Sequence, residues 1–215
     1  MPKLERDPAG EAPTSIEGGE IRIRHAAEPR PTTAIKNALL QASLAQLRAK
    51  GLYERYAAIV PPAVPQQILS SLAMSWMPIE LAVAHYGACE GMMLAAEQAT
   101  EVGAGVGERV QETSLSAAAK KTREPTADVW SNLGTLYRVW ARHYQGGSIQ
   151  IVKLGPSDMV IQQRGFVLTQ YRYYRQGQLA VFRAYFEAVG LHVTSVKLVS
   201  YSPTRDEVSI RITWT

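Results

Sequence analysis

The two residues best suited to chemistry are His85 and Cys89, which lie four positions apart in a segment with helical periodicity. In a helix this spacing places both side chains on one face, where an imidazole and a thiol can bind the same metal ion. Two ligands are too few for a metal site, and the other three histidines are distant in sequence. A core thiol beside a hydrogen-bonded histidine fits the spacing at least as well. We therefore predict no metal site and no catalytic residue, with an enzyme that uses a pocket near His85 kept as an alternative.

Adaptable apolar side chains surround this pair in the sequence. Methionine fills irregular cores, but it also lines cavities that accept varied ligands. Core packing and ligand binding both stay open for these positions. The candidate ligand-binding residues are Trp76, His85, Cys89, Met92 and Met93.

A second cluster interleaves aromatic and basic side chains. Such rings and guanidinium groups can bind a protein partner or clamp the bases and phosphates of a nucleic acid. The tyrosines can equally close the end of a sheet with their hydroxyls in water. Because the net charge of +4 is spread over the C-terminal third, a nucleic-acid-binding accessory protein is the less favoured alternative. The candidate partner-binding residues are Tyr171, Arg172, Tyr174 and Arg175, together with Arg211 on the polar face of the last strand.

The glycine run Gly103, Gly105 and Gly107 is a weak candidate for a phosphate loop. It has Glu108 where dinucleotide spacing needs a third glycine, and it follows a helical segment instead of a strand. We predict a flexible connection between helices there. No hydrolase, zinc-protease or P-loop motif occurs in the sequence, so we predict a non-enzymatic protein without a cofactor.

Composition limits the class of protein. The chain has 215 residues, of which 46% are hydrophobic and 20% charged, and its one cysteine excludes an intrachain disulfide. No apolar run approaches the ~18–20 residues that cross a bilayer, and the single cysteine favours a reducing compartment, so we expect a cytoplasmic protein. Residues 1–31 hold five of the twelve prolines and are predicted to be a disordered leader, although 20–24 alternate like an edge strand. Residues 32–215 are predicted to form a single domain.

The hydrophobic period changes at Gly147 from about 3.6 residues to 2, which separates a helical part, 32–145, from a sheet part, 146–215. The predicted helices are 33–50, 66–75, 78–99, 108–121 and 127–144. The sheet part is predicted to contain a hairpin over 149–161, a helix over 171–189 and two strands over 192–201 and 207–214. The fold class is therefore α+β: an N-terminal helical bundle followed by strand-strand-helix-strand-strand, with the strands in one antiparallel four-stranded sheet.

This order of elements resembles the ligand-binding superfamily of haem nitric-oxide-binding domains, vinyl-reductase-like domains and TRAPP transport subunits. Trp76-x-Pro78, the Lys153–Pro156 turn and Arg211–Trp214 also resemble an uncharacterised family of myxobacterial paralogues. The haem-binding branch holds the haem propionates with a Tyr-x-Ser-x-Arg pattern. Neither Tyr171–Arg175 nor Tyr201–Arg205 has serine in the middle.

The resemblance implies a non-enzymatic ligand-sensing or protein-interaction domain with a regulatory role. Its partner would be a small apolar ligand or an unknown protein, and a homodimer is possible. The missing serine argues against haem, so no cofactor is expected.

Overall fold

The computed structural model describes residues 14–17, 20–24, 30–110, 130, 136–188 and 190–215. The strands in these ranges are β1 (Thr14–Glu17), β2 (Glu20–Arg24), β3 (Ala34–Lys36), β4 (Trp76–Pro78), β5 (Tyr144–Gln145), β6 (Ser148–Gly155), β7 (Asp158–Arg164), β8 (Val193–Ser202) and β9 (Glu207–Trp214). The helices are α1 (Asn37–Ala49), α2 (Tyr53–Ala57), α3 (Ala63–Ser70), α4 (Ile79–Gly91), α5 (Ala96–Val110), α6 (Leu136–Ala141) and α7 (Arg172–Ala188). The predicted α+β class is confirmed. No described helix combines the length and the apolar character needed to span a bilayer.

The main sheet is antiparallel and has the strand order β1-β2-β6-β7-β9-β8. Its last four strands are the predicted two hairpins, with α7 between them in sequence. Strand β2 pairs with β6 where 20–24 alternate, and β1 extends the sheet by one more strand. Both added strands fall in the segment expected to be a disordered leader, and the rest of residues 1–29 lies outside the described ranges.

Alternation in β9 fixes which face of the sheet is covered. Val208, Ile210, Ile212 and Trp214 are buried, as their period of two predicts. Helix α7 contributes side chains such as Phe182 and Phe186, both buried, to the same hydrophobic core. The opposite face of β9 carries Arg211, which is exposed.

A small second sheet, in the order β4-β3-β5, replaces the start of the first predicted helix. Ile35 pairs with Met77 on one side and Tyr144 on the other, and its side chain is fully buried. Helix α1 therefore begins at Asn37, and Gly51 in a left-handed conformation (φ 67°) follows it as predicted. The second predicted helix, 66–75, corresponds to α3, which ends at Ser70. Trp76–Pro78 form strand β4 instead.

The predicted third helix, 78–99, is two helices. Chain direction changes after α4, where Met93 adopts a positive φ of 51°. The glycine run predicted as a flexible connection lies inside α5 instead, which corrects that interpretation. The predicted helices 108–121 and 127–144 fall mostly outside the described ranges, and α6 lies within the second of them.

Candidate ligand-binding site

Helices α1, α4, α5, α6 and α7 surround a cavity of about 80 Å³. Aliphatic and aromatic side chains make up most of its wall. The wall residues are Leu39 and Ser43 of α1, Tyr86 of α4, Ala99, Val102, Gly103 and Val106 of α5, Leu136, Val139 and Trp140 of α6, His143, Tyr144, and Tyr173, Tyr174, Gly177, Gln178, Val181, Phe182 and Tyr185 of α7. A mainly apolar cavity with a few polar groups is the usual form of a small-molecule site.

One side of the cavity is set by a close approach of α5 and α7. A Cβ atom on Gly103 would lie 2.5 Å from the carbonyl oxygen of Gly177, so the two backbones touch where neither has a side chain. One turn later, a Cβ on Gly107 would lie 3.3 Å from Cα of Val181. The glycines of α5 are therefore packing residues, and their four-residue spacing matches one helix face.

A chain of hydrogen bonds joins the wall to the main sheet. The hydroxyls of Tyr144 and Tyr174 are 2.9 Å apart, and Nε2 of Gln178 donates to the Tyr174 oxygen at 2.8 Å. Gln163 of β7 donates in turn to Oε1 of Gln178 at 3.3 Å. Burial raises the pKa of Tyr144 to about 12 and that of Tyr174 well above its ordinary value, so both are neutral phenols.

Two buried polar groups of the wall differ in their surroundings. The Trp140 indole nitrogen has no hydrogen-bond partner in the described structure. The Tyr173 hydroxyl instead lies towards Ser43 and Cys89. Burial raises the pKa of Tyr86 and that of Tyr173 well above the ordinary value, so both are neutral phenols. A buried unpaired donor costs about 1–3 kcal/mol, which makes the Trp140 N–H a candidate for contacting a ligand.

Behind the wall lies the His85 network. The fully buried His85 ring has Nδ1 2.8 Å from the Tyr56 hydroxyl and Nε2 2.9 Å from Oγ of Ser43. Burial lowers the pKa of His85 to about 3, so the ring is neutral and one nitrogen donates while the other accepts. Cys89 has Sγ 3.9 Å from Nε2, and burial raises the pKa of this thiol. His85 and Cys89 therefore belong to a neutral hydrogen-bonded network in the core, and Ser43 connects this network to the cavity wall.

The five residues predicted to bind a ligand do not line this cavity. His85 and Cys89 come together as their spacing predicts, but one layer behind the wall. Trp76 lies on β4 with the Lys36 ammonium 3.9 Å above its ring. Met92 is buried just after α4, whereas Met93 is 85% exposed. No group of three or more described His, Cys, Asp or Glu residues is placed to hold a metal ion.

The cluster at the start of α7 is used mainly for internal contacts. Tyr174 is buried in the cavity wall, and Arg172 donates a hydrogen bond to the carbonyl of Leu94. Arg175 donates to the carbonyl of Thr169 at 2.6 Å, and its guanidinium lies 4.0 Å from the centre of the Tyr201 ring. Arginine stacked on an aromatic ring in this way is a stabilising contact.

Tyr171 and Arg211 lie apart from each other. Tyr171 is half-buried against α4, where its hydroxyl is 3.3 Å from the Cβ that Gly87 lacks. Arg211 forms a two-point ion pair with Asp158, with distances of 3.0 Å and 2.5 Å. The Glu90 carboxylate accepts from the Tyr173 backbone N–H at 2.7 Å, so it caps α7.

The sequence analysis missed most of the wall. A usable signal was present on α7, where Tyr174, Gln178, Phe182 and Tyr185 follow one helix face at spacings of four, four and three. A glutamine among aromatic residues on a buried face marks a polar group that needs a partner.

Comparison with solved structures identifies the fold. An H-NOX protein variant from K. algicida in the unliganded Fe(II) state superposes with a TM-score of 0.58 at 10% identity, covering 84% of this chain and 97% of that one. An oxygen-binding H-NOX domain related to soluble guanylate cyclases, in its oxygen complex, gives 0.54 at 9% identity, with 84% and 95% covered. No protein-family model and no curated protein matches the sequence. The chain therefore has an H-NOX-like fold.

The wall does not fit a haem as it is packed. Its volume of about 80 Å³ is roughly half that of an engineered ~150 Å³ cavity that binds benzene, a much smaller molecule than a porphyrin. Among the residues that the structure describes, the wall contains no lysine or arginine that could pair with propionates. His143, the histidine in the described part of the wall, has Nδ1 2.8 Å from the Val139 carbonyl, to which it donates.

Proposed function

We propose that this protein is a non-enzymatic ligand-sensing domain whose cavity takes up a small, mainly apolar molecule. The observation that carries the proposal is the aromatic cavity of about 80 Å³ between α1, α4, α5, α6 and α7. The fold is shared with H-NOX proteins, one of which is described as oxygen-binding. Fold likeness at this identity supports the comparison of architecture only, so the cavity itself supports the function.

Hydrogen bonds in the wall offer a route by which ligand binding could alter the main sheet. The bonded chain Tyr144, Tyr174, Gln178 and Gln163 runs from the cavity to β7 at the centre of the main sheet. A ligand that moved α7 would alter these bonds and the sheet surface beyond them. We propose that a protein partner reads this change, and that the protein is cytoplasmic and regulatory.

Xenon tests the cavity because it binds apolar cavities without needing a hydrogen bond. We expect saturable chemical-shift changes under xenon pressure in NMR spectra, at methyl groups of wall residues such as Val102, Val139 and Val181. The variant Ala99→Leu should abolish them, since it adds three carbon atoms to the wall. The exposed Ala57→Leu is the matched control and should leave them intact. Shifts that survive in Ala99→Leu would refute the proposed site.

A further inference from the structure

We infer that the segment 69–76, from the last turn of α3 to the start of β4, docks on the surface of a lipid bilayer. This inference goes beyond the proposed function, because none of these residues lines the cavity. Four of the nine large apolar side chains that are exposed in the described structure lie in this short segment, so exposed apolar surface is concentrated there. They are Leu69, Leu72, Met74 and Trp76, with Leu72 79% and Met74 74% exposed.

The N-terminal end of α1 and the residue before it hold the segment by its backbone. Three successive carbonyls of the segment accept hydrogen bonds from three successive residues. Ala73, Met74 and Ser75 accept from the Ala38 N–H, the Lys36 ammonium and the Asn37 N–H at 2.8 Å, 2.7 Å and 3.0 Å. The exposure of Leu72 and Met74 is therefore a property of a bonded backbone.

The remaining carbonyls of 71–75 also have internal donors. Nδ2 of Asn37 donates to the carbonyls of Ser71 and Leu72 at 3.0 Å and 3.3 Å, and Nε2 of Gln41 donates to that of Ser71 at 2.8 Å. A loop carbonyl is commonly left to water, and an unpaired one is strongly unfavourable in a membrane. Because each carbonyl of 71–75 is bonded within the protein, this backbone can leave water without an unpaired acceptor.

Shape and side-chain type favour a lipid surface over a protein partner. A standard protein interface involves about 20–30 residues on each side, whereas the exposed apolar side chains here are confined to one short segment. Trp76 has the Lys36 ammonium 3.9 Å from the centre of its ring. Tryptophan is enriched at the membrane–water interface, and lysine there keeps its ammonium among the headgroups while its methylene chain is buried.

The charges beside the segment favour anionic headgroups. The backbone N–H of Lys36 donates to the His143 carbonyl at 2.8 Å, which brings the exposed Arg142 close to Lys36. The exposed Glu80, in the first turn of α4, offsets one of these two positive charges. The whole chain carries a net charge of +4. The cytoplasmic leaflet of a membrane is anionic and attracts basic groups near its surface.

Co-sedimentation with lipid vesicles tests the inference. We expect the wild type to bind vesicles of phosphatidylcholine, and to bind about fivefold more tightly when about 30% of the lipid is phosphatidylserine. This factor corresponds to one net basic group near an anionic surface. Met74→Ser should weaken binding about tenfold or more, since it withdraws one apolar side chain from the lipid.

Met93→Ser is the matched control. Met93 is 85% exposed and follows the C-terminal end of α4, whereas Trp76 precedes the N-terminal end, so the 13 residues of α4 separate them by about 20 Å. This variant should change binding less than twofold. Brominated lipid should quench the tryptophan fluorescence of the wild type, and Trp76→Phe should remove most of that quenching.

Three results would overturn the inference. They are no sedimentation of the wild type with either kind of vesicle, equal losses for Met74→Ser and Met93→Ser, and a wild-type dimer that Met74→Ser dissociates in sedimentation velocity, which would assign the segment to a second copy of the chain. The serine variants replace exposed side chains, so their melting temperatures should match that of the wild type. Xenon binding to Met74→Ser tests the cavity separately, because Met74 lies outside its wall.

Discussion

The contact between Gly103 and Gly177 allows a quantitative test of how the cavity is built. In Gly103→Ala the new Cβ would lie 2.5 Å from the Gly177 carbonyl oxygen, about 1 Å inside an ordinary contact distance. Because the opposing atoms are backbone, they cannot rotate away, and the helices must separate. Overpacking of this kind costs up to about 3 kcal/mol. Replacing glycine in a helix recovers about 1 kcal/mol, so we expect a net loss of about 2 kcal/mol.

A matched control lies two residues away in the same helix. In Gly105→Ala the Cβ would lie 2.6 Å from Nε2 of Gln46, the end of a flexible and only half-buried side chain that can swing aside. The gain in helix propensity is the same, so this variant should be within about 0.5 kcal/mol of the wild type or more stable. Urea unfolding curves give both values, with m checked for constancy. Equal losses for the two alanine variants would refute the α5–α7 backbone contact.

Three other predictions concern different parts of the molecule. Trp214→Ala should lower the free energy of unfolding by about 3–5 kcal/mol in denaturant melts, because Trp214 is buried and its ring centre lies 5.5 Å from that of Trp130. The control Arg211→Ala removes an exposed side chain and should be nearly neutral. Equal small effects of the two variants would mean that β9 is frayed. Acidification from pH 6.5 to 5 should lower the free energy of unfolding of the wild type by about 2 kcal/mol more than that of His85→Asn. The pKa of His85 is about 3 in the folded state and near 6.5 in the unfolded state, so only the unfolded state takes up the proton in this pH range. Parallel pH profiles of the two proteins would contradict the neutral buried ring. Expression with added haem should give no stoichiometric Soret band, and a strong band that His143→Ala removes would show that the wall opens to admit the cofactor.

The sheet half of the fold could be predicted because its signals are local. Alternation in β9 and the apolar face of α7 each repeat several times within one element, so burial follows from the sequence alone. The predicted inside position of Trp214 is confirmed by its burial. The pairing of two hairpins around one helix then follows from the need to cover a single apolar face.

The second sheet and the cavity could not be predicted in this way. Strands β3, β4 and β5 have two or three residues each, too few to show any period. Their pairing depends on partners far away in sequence. The cavity depends on which helix faces meet, and the helical periodicity of Tyr174 and Trp140 predicts only that a face is buried. The glycines of α5 were misleading because the same residue serves a flexible loop and a tight backbone contact.

The small sheet also has a consequence for the order of folding. Thr33 bonds to Gln145 across 112 positions of the chain, and Thr32 bonds to Gly165 across 133. During synthesis from the N-terminus, the segment that precedes α1 therefore waits for partners that emerge more than one hundred residues later. At roughly 5–20 residues per second, this delay lasts about 6–27 seconds. We expect the helical half to be dependent on a chaperone, or loosely packed, until the strand after α6 has left the ribosome.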